Sequence, residues 1–339
     1  MHWETCSRAL LDRAVRRLRL GKLSFPYEQG FPAEYRSLIP PRLAVRDALR
    51  LEAVVLSGRV AVDLRPPVAG LDEAHYRVQV YSARERGLDE IMPFLQNLNL
   101  RVIDQIQFKV ELGGRRFFIR SFFVKPRANG VENLSPLKKP LLLLLDALLS
   151  GQAEDDALNG LTLLTGLHWK EIDPFRAYRN YYFQLGSRFK RFRFHQALLG
   201  NPGITRLLHR YFEGRIVPDA RWRDSLQREE EAVSAIRLEL IAALDEVTDV
   251  NEDRILRDLF NLIDATLRTN FYRRRDQTDH FIALKINSLG VINMPSPAPL
   301  VEIYVHSPTM ESISAAPRWR AAASAGRTAS TISAAKFSI

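Results

Sequence analysis

The stretch with the most chemical promise is YYFQLGSRFKRFRFHQ, residues 181–196, where cationic side chains alternate with aromatic rings. Cations on phosphates and rings against bases would make such a run a nucleic-acid surface. The same pattern suits a short basic connection whose Phe189, Phe192 and Phe194 anchor it to neighbouring helices. Loop phenylalanines commonly serve packing, and packing is the favoured reading. FYRRRD, residues 271–276, reads in the same way as a solvated charge run. Asp155-Asp156 and Glu229-Glu230-Glu231 bring carboxylates together along the chain. Adjacent residues of a helix point apart, so neither group forms a shared acid–base site. The seven histidines are scattered, with no pair at metal-ligand spacing inside a Cys/His/Asp/Glu cluster. His195 and His209 read as partly buried helix residues. There is no G-x-G-x-x-G turn for a dinucleotide pyrophosphate. No Lys–Asp constellation stands out for proton transfer. No residue is therefore assigned a catalytic, cofactor-binding or metal-ligating role, and no cofactor is expected on this chain.

The bulk of the sequence narrows the classes further. Its 339 residues suffice for two or three domains with cores of their own. The net charge is +10, but 312–339 holds Arg318, Arg320, Arg327 and Lys336 and no acid, which leaves +6 on the remainder. A field that modest does not mark a dedicated nucleic-acid binder. The single cysteine, Cys6, excludes an internal disulfide and points to the cytoplasm. The start, MHWETCSRALLDRAVRRLRL, lacks the apolar stretch of a signal peptide. PLLLLLDALL, 140–149, has about half the length of a membrane span and is broken by Asp146, so no membrane partner is expected.

The elements that must position any site fall in a clear order. Residues 4–20 are a basic helical stretch, and the prolines of 31–41 bend the chain away from helix. Residues 41–56 read as helix, and Val60, Val62, Leu64 and then Tyr76, Val78, Val80 alternate as strands. Leu88, Ile91, Leu95 and Leu98 define a helix, with Asp89 able to cap it and Pro93 at or just past its first turn. Ile106, Phe108, Val110 and Leu112 alternate as a strand; Gly113-Gly114 supplies a tight hairpin turn; Phe117, Ile119 and Phe123 continue the apolar face on the return strand. A plain structural hairpin is favoured over an effector site at these glycines. From 135 to 270 the pattern is helical, over 135–150, 153–166, 170–186, 192–199, 203–214, 219–247 and 252–270. The last has Ile255, Leu256, Leu259, Leu262, Ile263 and Leu267 on one face and Asn251 as cap. After 271 alternation returns at Phe281, Ala283, Lys285 and at Val301, Ile303, Val305. The fold class is α+β.

Several of these stretches together resemble the large NAD-specific glutamate dehydrogenases of bacteria. LDEIMPFLQNLNLRVIDQIQFKVE followed by RRFFIRSFFV is similar to the family's ACT-type regulatory module. AEDDALNGLTLLTGLHWKEIDPFRAYRNYYFQ, NPGITRLLHRYFEGRIVPD and NEDRILRDLFNLIDATLRTNFY are similar to its helical segments. HFIALKINSLGVINMPSPAPLVEIYVHSP is similar to the opening strands of its catalytic domain. The resemblance spans 31–311 and implies five regions: a helical remnant at 1–40, an ACT-like α+β module at 41–127, a helical region at 128–270, catalytic-domain strands at 271–311, and an unstructured tail at 312–339. It implies NAD as the cofactor of the full-length family, oxidation of L-glutamate to 2-oxoglutarate and ammonia as its reaction, and full-length dehydrogenase subunits as partners. The expected function is that of an inactive fragment. A stand-alone module binding an amino acid or an intact dehydrogenase, and a basic helical RNA-binding protein, are the alternatives.

The tail departs from the family, whose next stretch is of the type HLRGGxVARGGIRWSDR. Permitted codons for Ser312 to Ser338 can be chosen so that a one-base displacement reads HLRGAKVARGGIRWSDRIDDFRSEIL. The expectation is a lost reading frame near residue 311. Sequencing the encoding DNA checks it: the displaced frame must spell that motif, and any other reading there refutes the expectation.

Overall fold

The structure, a computed structural model, describes residues 3–67, 75–127, 131, 133–218, 230, 233–274, 281–307 and 310–315. It divides into two compact units, Met1–Gly166 and Leu167–Ile339. The boundary falls inside the stretch read as one helical region.

In the first unit a four-stranded antiparallel sheet runs in the order β1-β2-β4-β3, with β1 at Ala61–Arg65, β2 at Tyr76–Ser82, β3 at Leu100–Leu112 and β4 at Arg115–Pro126. The β3–β4 hairpin closes through Gly113 and Gly114, whose φ angles of 56° and 74° fit glycine best. A side chain at Gly113 would also collide with the Phe25 ring. Helix α1, Trp3–Leu18, is followed by the short α2, Tyr27–Gly30, and α3, Ala33–Leu38. The prolines of 31–41 therefore do not exclude helix. Pro32 precedes α3, and Pro41 opens α4, Pro41–Ser57, at a position whose N–H has no intrahelical partner.

Residues 1–40 are not a separate remnant. Leu11, Tyr27, Phe31 and Tyr35 share one core with Ala44, Ala48, Leu51 and Val54 of α4 and with Phe108, Val110, Phe117 and Ile119 of the sheet. Phe122 and Val124 point to the other face of β4 and are fully buried as well, so apolar cover is not confined to the face read from Phe117, Ile119 and Phe123. Helix α5, Leu88–Asn97, packs against β3, and α6, Lys138–Leu149, packs against β1. Gly87, not Asp89, is the N-cap of α5, with Glu90 accepting its N–H at 3.2 Å. Pro93 sits in the helix interior, where it removes one backbone hydrogen bond. A 3₁₀ turn at Ala157–Gly160 and α7, Leu161–Thr165, replace the longer helix expected over 153–166.

Between α4 and the sheet lies a buried polar cluster. Asp47 is 1% exposed and accepts from Arg65 at 2.5 Å, from the Tyr81 hydroxyl at 2.5 Å and from Tyr35. Asp63 is fully buried and faces Lys138 at 2.8 Å, Arg46 at 3.2 Å and Arg65 at 3.4 Å. Burial pushes the Asp63 carboxyl up, but the Lys138 hydrogen bond and the surrounding cations outweigh it and hold the group below the usual carboxylate range. Burial and then Asp47 push the Tyr35 and Tyr81 hydroxyls up, so both donate as neutral phenols.

In the second unit α8, Trp169–Gln184, α9, Arg191–Gly200, α10, Pro202–Ile216, α11, Ser234–Asp245, and α12, Val250–Asp264, precede a second antiparallel sheet. Its order is β5-β6-β7-β8, with β5 at Thr266–Thr269, β6 at Ile282–Asn287, β7 at Val301–Ser307 and β8 at Met310–Ala315. The short α13, Phe271–Arg274, lies between β5 and β6. Asp249 rather than Asn251 caps α12, accepting from Asn251 and Glu252 N–H groups at 2.8 and 3.0 Å. The helix ends at Asp264, short of the expected 270. Thr266 turns its hydroxyl back to the Leu262 carbonyl at 2.8 Å, and the chain enters β5, where Leu267 is exposed. Strand β8 takes in 312–315, four residues of the segment expected to be unstructured. Residues 316–339 lie outside the described residues, as do 219–229 of the helix read over 219–247.

Replacing Asp47 with Ala leaves the buried Arg65 guanidinium without its nearest carboxylate, which costs about 3–5 kcal/mol. Asp146→Ala removes only an exposed pair with Arg59 and costs less than about 1 kcal/mol. Urea unfolding of the two variants checks both values.

Candidate functional site

The second unit holds a cleft of about 330 Å³ beside the end of α8. Tyr182 and the 185–189 turn form one wall; Arg254, Asp258, Asn261 and Leu262 of α12 form another; Val291 and Asn293 complete it. The turn exists because α8 ends at Gln184 and Gly186 takes a φ of +84°. Asp258 is fixed at both oxygens, accepting from the Tyr182 hydroxyl at 3.1 Å and from Asn293 Nδ2 at 3.1 Å. Burial lifts its carboxyl above the ordinary range, against the Tyr182 hydrogen bond and the nearby Arg254. Burial likewise pushes the Tyr182 hydroxyl up to about 12. Asn261 bridges the loop, donating to the Gly290 carbonyl at 2.9 Å and accepting the Ile292 N–H at 3.0 Å. The volume is at the lower end for a small-molecule site. Tyr182 and Asn293 are engaged with Asp258, and Asn261 with the backbone of the 290–292 loop.

The basic aromatic run lines part of this cleft, and the structure divides its rings. Phe194 is fully buried against Tyr182 and Phe183, with ring centroids 5.8 and 6.2 Å away. Phe189 is half-buried, and Phe192 is 66% exposed, so Phe192 is not the anchor expected of it. A helix leaves one face of the run outward whatever its ring content, which alternating composition alone does not reveal. Phe271 is buried at the head of the 271–276 charge run, and Arg275 and Asp276 lie outside the described residues.

The adjacent acids serve separate partners. Asp155 accepts from Asn97 Nδ2 at 2.9 Å, while Asp156 caps the 3₁₀ turn through the Leu158 N–H at 3.0 Å. Glu229 and Glu231 lie outside the described residues. His195 Nε2 meets Arg179 at 3.0 Å. His209, read as partly buried, is only 5% exposed, and Glu171, His209 and Glu213 converge with ligand atoms within 4.8 Å of one another. This group holds one histidine, so it lies outside a reading that looks for histidine pairs. His209 and Glu213 are one helical turn apart on α10, a spacing visible in the sequence, whereas Glu171 arrives from α8 by tertiary packing.

Three family descriptions match along the chain in order. Residues 59–135 match the glutamate dehydrogenase ACT3 domain, 153–218 its helical motif 3, and 239–327 the catalytic domain of bacterial NAD-glutamate dehydrogenase. An ACT module followed by a helical motif and a catalytic-domain segment defines the class of modular bacterial glutamate dehydrogenases. Curated relatives agree. The NAD-specific glutamate dehydrogenase of Pseudomonas aeruginosa is 32% identical over 297 residues. Those of Halomonas elongata and Mycobacterium tuberculosis are each 28% identical, over 289 and 296 residues. Each match covers 85% of this chain and 18% of the relative. The chain belongs to the NAD-specific glutamate dehydrogenase family and corresponds to a part of its relatives' length.

An acid whose folded pKa stands above its unfolded value contributes stability at low pH, and the contribution is lost as pH rises through the folded value. Asp258→Asn removes that term. The stability difference between parent and variant must therefore favour the parent more below the unfolded value, at about pH 3, than at about pH 7. Denaturation midpoints of both proteins at the two pH values check it; a pH-independent difference would contradict it.

Proposed function

We propose that the chain is a regulatory and scaffolding portion of an NAD-linked glutamate dehydrogenase and does not oxidise glutamate alone. The observation that carries this reading is the ordered match to an ACT domain, a helical motif and a catalytic-domain segment. The sequence supports it from the other side, since its 339 residues contain no G-x-G-x-x-G stretch to seat a pyrophosphate. The complete reaction converts L-glutamate, NAD and water to 2-oxoglutarate, ammonia and NADH. In this reading the nicotinamide-binding domain belongs to further dehydrogenase polypeptide, which is the partner, and the compartment is the cytoplasm. No helix among the described residues is long and apolar enough to cross a membrane.

Purified chain mixed with NAD and L-glutamate is expected to form NADH no faster than buffer. Glutamate-dependent NADH formation that survives repeated purification would overturn the reading.

A further inference from the structure

Glu171, His209 and Glu213 form the metal-ligand type of group that the glutamate dehydrogenase reading leaves unused. The two residues of α10 leave its same face, with His209 Nδ1 3.5 Å from Glu213 Oε2. Glu171 stands in the first turn of α8, and its Oε2 accepts the His168 N–H at 2.9 Å. That bond fixes the direction of the carboxylate, as outer hydrogen bonds do for ligating carboxylates in metal sites. The imidazole is buried and the two carboxylates are half-buried, so the group opens to solvent on its carboxylate side.

We infer that Glu171, His209 and Glu213 bind a divalent transition-metal ion, Zn²⁺ by donor type, with solvent in the fourth position. The charges fit, because two carboxylates and a neutral imidazole balance a dication. The donor types fit, because imidazole nitrogen and carboxylate oxygen both ligate Zn²⁺ at roughly 2.0–2.2 Å. Bonds of that length put neighbouring tetrahedral ligand atoms about 3.3 Å apart. His209 and Glu213 stand close to that spacing, at 3.5 Å, and Glu171 brings a carboxylate oxygen within 4.8 Å of both. The inference rests on these three side chains and not on the family, so its failure leaves the dehydrogenase reading intact.

The test is cobalt substitution in the full chain after chelator treatment, followed by displacement with Zn²⁺. Binding of Co²⁺ is expected to give visible d–d absorption without a sulfur-to-cobalt charge-transfer band, and Zn²⁺ is expected to abolish the absorption and raise Tm. Glu213→Gln and Glu171→Gln should each weaken Zn²⁺ binding at least about tenfold. Glutamine at 171 can still accept the His168 N–H, so that variant keeps its helix cap. Absence of the d–d band overturns the inference. So does a sulfur band, which would place the ion on Cys6, or an affinity unchanged in both glutamine variants.

Discussion

Two buried carboxylates, Asp47 and Asp63, set a constraint that the rest of the first unit must meet. A buried carboxylate is tolerated only where cations and hydroxyls converge on it. Meeting that demand draws Arg46 and Arg50 from α4, Arg65 from β1, Tyr81 from β2, Tyr35 from α3 and Lys138 from the start of α6. Each partner fixes the register of its own element. A one-residue slip of β1 would turn Asp63 and Arg65 to the opposite face. The apolar core around Phe108, Phe117 and Ile119 then fills a space whose walls the charges have set. The N-terminal segment takes part in the same arrangement: Glu52 of α4 accepts from Tyr27 at 2.5 Å and from Ser24 at 2.9 Å, and Glu28 is held by Arg8. An α+β module of the ACT type here has its outer helices locked to it by buried polar bonds.

The second unit adds aromatic and hydroxyl contacts to its own buried ion pair, Arg176–Asp173. Tyr178 meets Thr266, Tyr181 donates to Glu302, Tyr182 to Asp258 and Tyr211 to Asp264. The tyrosines of α8 and α10 thereby reach the helix and strands that follow them within this unit. Burial pushes all four hydroxyls up, so they act as neutral donors across the ordinary pH range. Such contacts tie α8 and α10 to the elements that follow them and suit the scaffolding role proposed above.

Much of this was legible from the residues. The β3–β4 hairpin was, because a glycine pair between two alternating runs is a strong signal for a tight two-residue turn. The body of α12 was, because Ile255, Leu256, Leu259, Leu262 and Ile263 recur at helical spacing and are all buried. Its end was not, because Leu267 keeps the period after Thr266 has left the helix, and a period carries no information about a strand partner at Ile286. Helix α3 was missed because the prolines of 31–41 were weighed as breakers, although Pro32 sits at its start, where it fits. The charge clusters were invisible for a different reason. Asp47 and Arg65 are 18 positions apart, and Glu171 and His209 are on different helices. No local pattern signals a pair that only packing creates. Family resemblance filled part of that gap, since order and spacing over many stretches report a fold that no single stretch specifies.

The claim that this chain supplies scaffold rather than a nicotinamide site is tested most directly by titrating it with NADH and following nucleotide fluorescence. A scaffold gives a change linear in NADH, indistinguishable from that with an unrelated protein. A saturable change, sharpened by L-glutamate or 2-oxoglutarate, would show a seated nicotinamide and contradict the account.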